Sequence, residues 1–245
     1  VAALLGRSIE GVASGALGEG SAANEGDSLG MFVARITLEL LRPVPCAPLQ
    51  LMAEVVRPGR KVQLVQATLL AAGKPVARAT GLLIRQSELA LPRDRPPPAE
   101  MIAPPEQGVA ASRFQALGQY EAFHSSATEH RFVRGQDEDR GPAADWIRLK
   151  YPLLRGEVVS PLCRACVASD FGNGVSSVLR ADDFTYINPD LTIYLHRYPQ
   201  GEWVCIDASS RVESTGVGLV ESHLFDRDGR IGCALQSLIV EARPR

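Results

Sequence analysis

The sequence contains the same unit twice. Residues 36–41 run Ile-Thr-Leu-Glu-Leu-Leu and residues 191–195 run Leu-Thr-Ile-Tyr-Leu, each alternating apolar with polar side chains as a half-buried strand does. The interval between matches holds steady, pairing Thr37 with Thr192, Arg42 with Arg197, and Leu64-Val65 with Leu219-Val220. Past turns at Gly73 and Gly229 the interval is expected to grow by one, so that Leu83 matches Ile239 and Thr80 matches Gln236. Each copy also slips parity once. Val62 and Leu64 give way to Val65, Ala67 and Leu69, and Val217 and Leu219 to Val220, Ser222 and Leu224, which predicts β-bulges at equivalent places. Two copies of a long unit require a duplicated domain and exclude a solenoid.

In 245 residues this leaves two units of ordinary domain size, roughly 120 residues each. Six prolines fall between Pro92 and Pro105, a stretch that can be neither helix nor central strand and is expected to be an extended linker. The expected division is therefore 1–91, a linker over 92–118, and 119–245. Val1–Ile9 has apolar residues at helical spacing with no cap before them, so the numbering is expected to begin inside a helix, with residues upstream. The Gly- and Ser-rich run from Ser14 to Gly30 is expected to be a loop. Strands are expected over 129–135 and 145–154. Ser160-Pro161 is a strong helix start, and that helix is expected to pause at 170–174 and resume through Leu179. Each half is thus a helix plus an antiparallel meander, an α+β pattern.

Composition removes several functions. With 45% hydrophobic residues the chain is too apolar for disorder, yet no run of about 18 apolar residues can span a membrane. A net charge of −2 without a basic face excludes a nucleic-acid footprint. Five cysteines, Cys46, Cys163, Cys166, Cys205 and Cys233, are odd in number and mostly embedded in apolar stretches; reduced thiols and a cytoplasmic location are expected. There is no GxGxxG, Walker A or GxSxG motif. His124, His130, His196 and His223 lack ligand spacing, and Cys163 and Cys166 form an isolated CxxC, expected as small buried side chains. No cofactor and no metal are expected.

Three polar residues stand out. Asp170 ends an apolar run and precedes Phe171-Gly172-Asn173-Gly174; its structural role would be a helix N-cap. Gln236 interrupts an apolar strand, where a buried amide must be hydrogen-bonded or costs about 1–3 kcal/mol. Asn188, before Pro189-Asp190, would ordinarily be a turn residue.

The segments Ala168-Ser169-Asp170-Phe171, Leu195-His196-Arg197 and Ala234-Leu235-Gln236 resemble the type II acyl-CoA thioesterases. So do Arg35–Pro45 and Val56-Arg57-Pro58-Gly59-Arg60 in the first half. The likeness covers nearly the whole chain apart from the linker and an initial strand. It implies a double hotdog, two helix-plus-sheet repeats side by side, with an active site built from an Asp, a hydroxyl residue and a Gln. Carried over singly, these fall on Asp170, Asn188 and Gln236. Asn188 departs from the pattern, since it has no hydroxyl.

Chemically the set is coherent. A carboxylate at Asp170 can deprotonate water that Gln236 and Asn188 hold in place. The backbone N–H groups of Gly172 and Asn173 can meet the developing oxyanion. The expected function is hydrolysis of a fatty acyl-CoA or related small thioester. The alternative is a silent hotdog that binds acyl or aromatic ligands or serves as an assembly subunit. A hotdog hydratase is disfavoured because no Asp…His pair lies at a helix start. The first half is expected to lack a second site and to shape an acyl tunnel. Arg57, Arg60 and Arg197 are left outside the site, and a homo-oligomer is expected.

Overall fold

A computed structural model of the chain describes residues 1–14, 30–92, 94, 100–110, 122–135 and 140–244. The first repeat consists of helix α1 (Ala2–Ala13) and strands β1 (Met31–Leu40), β2 (Leu49–Arg57), β3 (Val62–Ala71) and β4 (Lys74–Arg85). The second contains helices α2 (Pro161–Ser169) and α3 (Gly172–Ser176). Its strands are β5 (Val109–Ala110), β6 (Thr128–Arg134), β7 (Ala143–Leu149), β8 (Phe184–Ile187), β9 (Asp190–Leu195), β10 (Val204–Val212), β11 (Val217–Asp226) and β12 (Gly229–Ala242). The strands form one sheet in the order β2-β3-β4-β1-β9-β12-β11-β10-β7-β6-β5, with β8 pairing beside β12. This is the expected α+β double hotdog, its two repeats joined edge to edge.

The join lies on the repeat's own symmetry axis. β1 and β9 run antiparallel with Thr37 opposite Thr192, two residues 155 apart whose hydroxyls meet at 3.3 Å. On either side Arg35 faces Tyr194 and Glu39 faces Asp190, so each copy presents the same edge to the other. That is the isologous geometry of a twofold dimer, here within one chain.

The constant interval extends further than expected. Val65 pairs with Gly81 and Val220 with Gln236; Gln63 pairs with Leu83 and Gly218 with Leu238. No residue is gained after the turns. Leu83 therefore matches Leu238, both fully inside, whereas Ile239 is exposed, and Gln236 matches Gly81 rather than Thr80. The bulges are also displaced. The register skips Val76 in β4 and Ile231 in β12, both buried, while β11 stays in register with β10 throughout the predicted slip. In β2 the skipped residue is Val56, opposite Leu64 and Val65. The apparent slip instead reflects apolar side chains on both faces: Val217 and Leu219 point outward and are exposed.

Other boundaries moved by a few residues. β6 begins and ends one residue earlier than expected, β7 begins two residues earlier and ends at Leu149 rather than 154, and α3 ends at Ser176 rather than Leu179. Residues 15–29 of the expected loop and 93, 95–99 and 111–118 of the expected linker lie outside the described residues. Within the linker span, Val109–Ala110 adds a short edge strand to β6.

Helices α1 and α2 cover the two repeats and pack on each other. α2 starts where the sequence predicted: Pro161 is its first residue, and the Ser160 hydroxyl caps it by accepting from Cys163 N at 3.2 Å. Leu162, Cys163, Ala165, Cys166, Val167 and Ala168 are all buried. Cys163 and Cys166 serve as small core side chains, and burial raises both thiol pKa values. Trp146 is likewise structural, donating from Nε1 to the Ala103 carbonyl at 2.7 Å.

Candidate active site

The site forms where α2 gives way to α3 above β12. Asp170 is the C-terminal cap of α2 rather than the expected N-cap, because Phe171, a one-residue joint, takes the N-cap position before Gly172 opens α3. Ser176 fixes the short helix: its hydroxyl lies 2.9 Å from the Gly172 carbonyl and 2.7 Å from Ser210 Oγ on β10.

Asp170 and Asn188 meet. Asn188 Nδ2 donates to Asp170 Oδ1 at 3.4 Å, although the residues come from a helix end and the β8–β9 turn. That leaves Oδ2 of Asp170 and the amide oxygen of Asn188 for a further partner. Part of Asp170 reaches solvent, but the protein packed around its carboxyl raises its pKa above the ordinary aspartate value. The Asn188 amide acts in the opposite sense.

Gln236 lies beneath Gly172. It is 2% exposed, and among the described residues neither Oε1 nor Nε2 has a hydrogen-bond partner. A Cβ at position 172 would stand 2.7 Å from Gln236 Oε1 and 3.0 Å from Ser222 Oγ, so any larger residue would have to push the Gln236 amide aside, and glycine lets the helix come this close. At the equivalent place in the first repeat the roles are exchanged. Gly81 occupies the strand, and Ile9 of α1 presses down on it, its Cγ2 only 2.5 Å from where a Cβ would lie. The first half therefore has no amide corresponding to Gln236.

The amides of Gly172 and Asn173, the first two of α3, donate to no carbonyl or side chain among the described residues. Asn173 Oδ1 is also buried with no partner among the described residues. The structure thus gathers a carboxylate, three carboxamides and two free main-chain donors around one helix joint.

Sequence reasoning missed Ser222. Its hydroxyl is 3% exposed and flanks the same glycine from β11. The signal was present in its position: Ser222 lies between Val220 and Leu224 on the inward parity, where a polar side chain is unusual. Arg197, by contrast, is occupied elsewhere. It forks onto the fully buried Asp226, with Nη2 at 2.6 Å from Oδ1 and Nη1 against Oδ2, and Asp226 also accepts from the amides of Gln200 and Asp228. Burial alone would raise the Asp226 pKa, but these donors hold it below the ordinary value.

Two family models match the chain, the acyl-CoA thioesterase N-terminal domain over residues 1–84 and the acyl-CoA thioesterase C-terminal domain over residues 93–240. No curated protein matches it. Among solved structures, an acyl-CoA thioesterase II from Mycobacterium marinum is similar at 16% identity and a TM-score of 0.63, covering 87% of this chain and 82% of its own. A tesB protein from Mycobacterium avium subspecies paratuberculosis is similar at 15% identity and a TM-score of 0.62, covering 98% and 85%. A hot dog fold protein from Alicyclobacillus acidocaldarius gives 14% identity and a TM-score of 0.62, covering 98% and 86%. At such identities the likeness is one of fold.

Proposed function

Because this chain belongs to the acyl-CoA thioesterase family, we propose that the joint between α2 and α3 is where it hydrolyses a fatty acyl-CoA or a related small thioester. The observation that carries this assignment is Gln236, an amide sealed under Gly172 with both polar atoms unpaired. Each orphaned group costs about 1–3 kcal/mol, which a chain retains where a water or substrate completes the hydrogen bonds.

In the proposed reaction Asp170 takes a proton from water as the water oxygen bonds to the thioester carbonyl carbon. Asn188 and Gln236 orient that water. The Gly172 and Asn173 amides receive the negative charge gathering on the carbonyl oxygen. The C–S bond then breaks, and the proton held by Asp170 passes to the departing CoA thiolate. A carboxylate with a raised pKa is a better base for this step than an ordinary one. Ser222 supplies a buried hydroxyl on the same wall, on β11 instead of at position 188. We place the domain division at the Pro-rich stretch following β4, and the chain in the cytoplasm as a homo-oligomer.

Hydrolysis of acyl-CoA substrates of graded length by wild type and Asp170→Ala tests the assignment. The variant is expected to lose about 10²–10⁴-fold in kcat. In wild type, kcat/KM should fall as the pH drops through the Asp170 pKa, an acid limb above the ordinary aspartate range because only the ionised form is a base. Equal hydrolysis by the two proteins would remove Asp170 from the mechanism.

A further inference from the structure

A closed hydrogen-bond relay lies one side chain away from the site. β6 turns Thr128 and His130 inward and β7 brings Asp145 beside them, at 2%, 6% and 0% exposure. His130 Nδ1 is 2.6 Å from Asp145 Oδ2, and Nε2 is 2.9 Å from Thr128 Oγ1. The Thr128 hydroxyl donates to the His124 carbonyl at 2.9 Å, and the Arg131 amide donates to Asp145 Oδ1 at 2.9 Å. Asp145 Oδ2 on Nδ1 and Thr128 Oγ1 on Nε2 thus hold the imidazole from both sides.

Hydroxyl, imidazole and carboxylate stand in the order of a nucleophilic triad, but this hydroxyl is sealed and its proton is spent on a main-chain carbonyl. What the relay fixes is a ring. His130 meets Phe171 edge to face, centroids 4.9 Å apart at 77°, and Phe123 stacks on Phe171 at 6.3 Å and 17°. Phe123 and His124 belong to the single π-helical turn Phe123–Ala127, which Thr128 ties down through its hydroxyl. Phe171 is the one residue separating Asp170 from Gly172, so a shift of its backbone would carry the carboxylate and the first α3 amide together.

We propose that the Thr128–His130–Asp145 relay is a positioning device for hydrolysis, clamping Phe171 so that Asp170 and the Gly172 amide keep their reacting geometry. This rests on the site assignment above. His130 touches no substrate and acts only through Phe171. A misplacement of about 1 Å at such a centre costs up to roughly 100-fold in rate.

The test compares hydrolysis of one acyl-CoA by wild type, His130→Gln, Phe171→Leu, the double variant and Asp170→Asn. Each single variant at 130 or 171 is expected to lose about tenfold in kcat with KM within about twofold. The acid limb should move toward the ordinary aspartate range as the carboxyl loosens. The double variant should lose no more than the worse single one, because both cut the same link. Phe171→Leu leaves every hydrogen bond of the relay in place and decides the matter alone if His130→Gln does not fold. A double loss equal to the product of the single losses, or single variants with wild-type kcat and acid limb, overturns the relay's role. If those variants are silent while Asp170→Asn is dead, the relay fails and the site stands; if Asp170→Asn keeps the wild-type rate, both fall.

Discussion

At the scale of single residues, stability and chemistry oppose each other at Gln236. Its unpaired amide should make Gln236→Leu more stable by about 1–3 kcal/mol in urea unfolding, while hydrolysis is lost. A less stable, fully active variant would show that the amide is satisfied and uninvolved. Gln236 was legible in the sequence because a lone carboxamide in Cys233–Ile239 breaks an apolar run. Asp170 and Asn188 were legible as residues and, through the resemblance, as partners, though nothing in their spacing predicts a contact at 3.4 Å. Ser222 was passed over because, between Val220 and Leu224, it served only as one member of an apparent parity slip. The Thr128–His130–Asp145 relay escaped notice for another reason: threonine and histidine are ordinary on the solvent side of a strand, and only the register and burial show that these face inward.

At the scale of elements, the turn between β11 and β12 is organised by a carboxylate rather than by its loop residues. Arg197 at the end of β9 and the amides of Gln200 and Asp228 all point at Asp226, whose side chain is fully buried. Arg197→Ala should therefore destabilise the chain by about 3–5 kcal/mol, since it strands a buried charge. The pH dependence has a definite sign. A depressed carboxylate pKa contributes stability above the ordinary aspartate value and loses it as the pH falls through the folded value. The gap between wild type and variant in denaturant midpoint should thus narrow on acidification; a constant gap would mean that packing, not charge, holds the turn. The strands were legible from alternation, whereas the bulges were not. Val62, Leu64, Val217 and Leu219 mimicked a parity slip because this sheet carries apolar side chains on its outer face too. The bulges at Val76 and Ile231 left no mark, each sitting in a run of residues compatible with either face.

At the scale of the whole molecule, that outer face continues across three strands. Val217 is opposite Ile239 and Ile239 opposite Ile187, exposed by 62%, 45% and 53%. Contiguous apolar surface of this kind is usually covered in solution. Light scattering should return a multiple of the chain mass, and Ile239→Lys should shift it toward the monomer; a monomeric wild type would leave the row uncovered. The seam between the repeats has a different consequence. Thr37 and Thr192 touch where, in a pair of identical chains, one threonine would meet its own duplicate. Two identical chains must accept every substitution on both sides of such an axis. Joined in one polypeptide, the copies are free to diverge, so a glycine can survive under one helix while a glutamine arises under the other. On the proposed assignment, the single reaction centre is an inheritance of tandem linkage, and the other half is released to evolve as its scaffold.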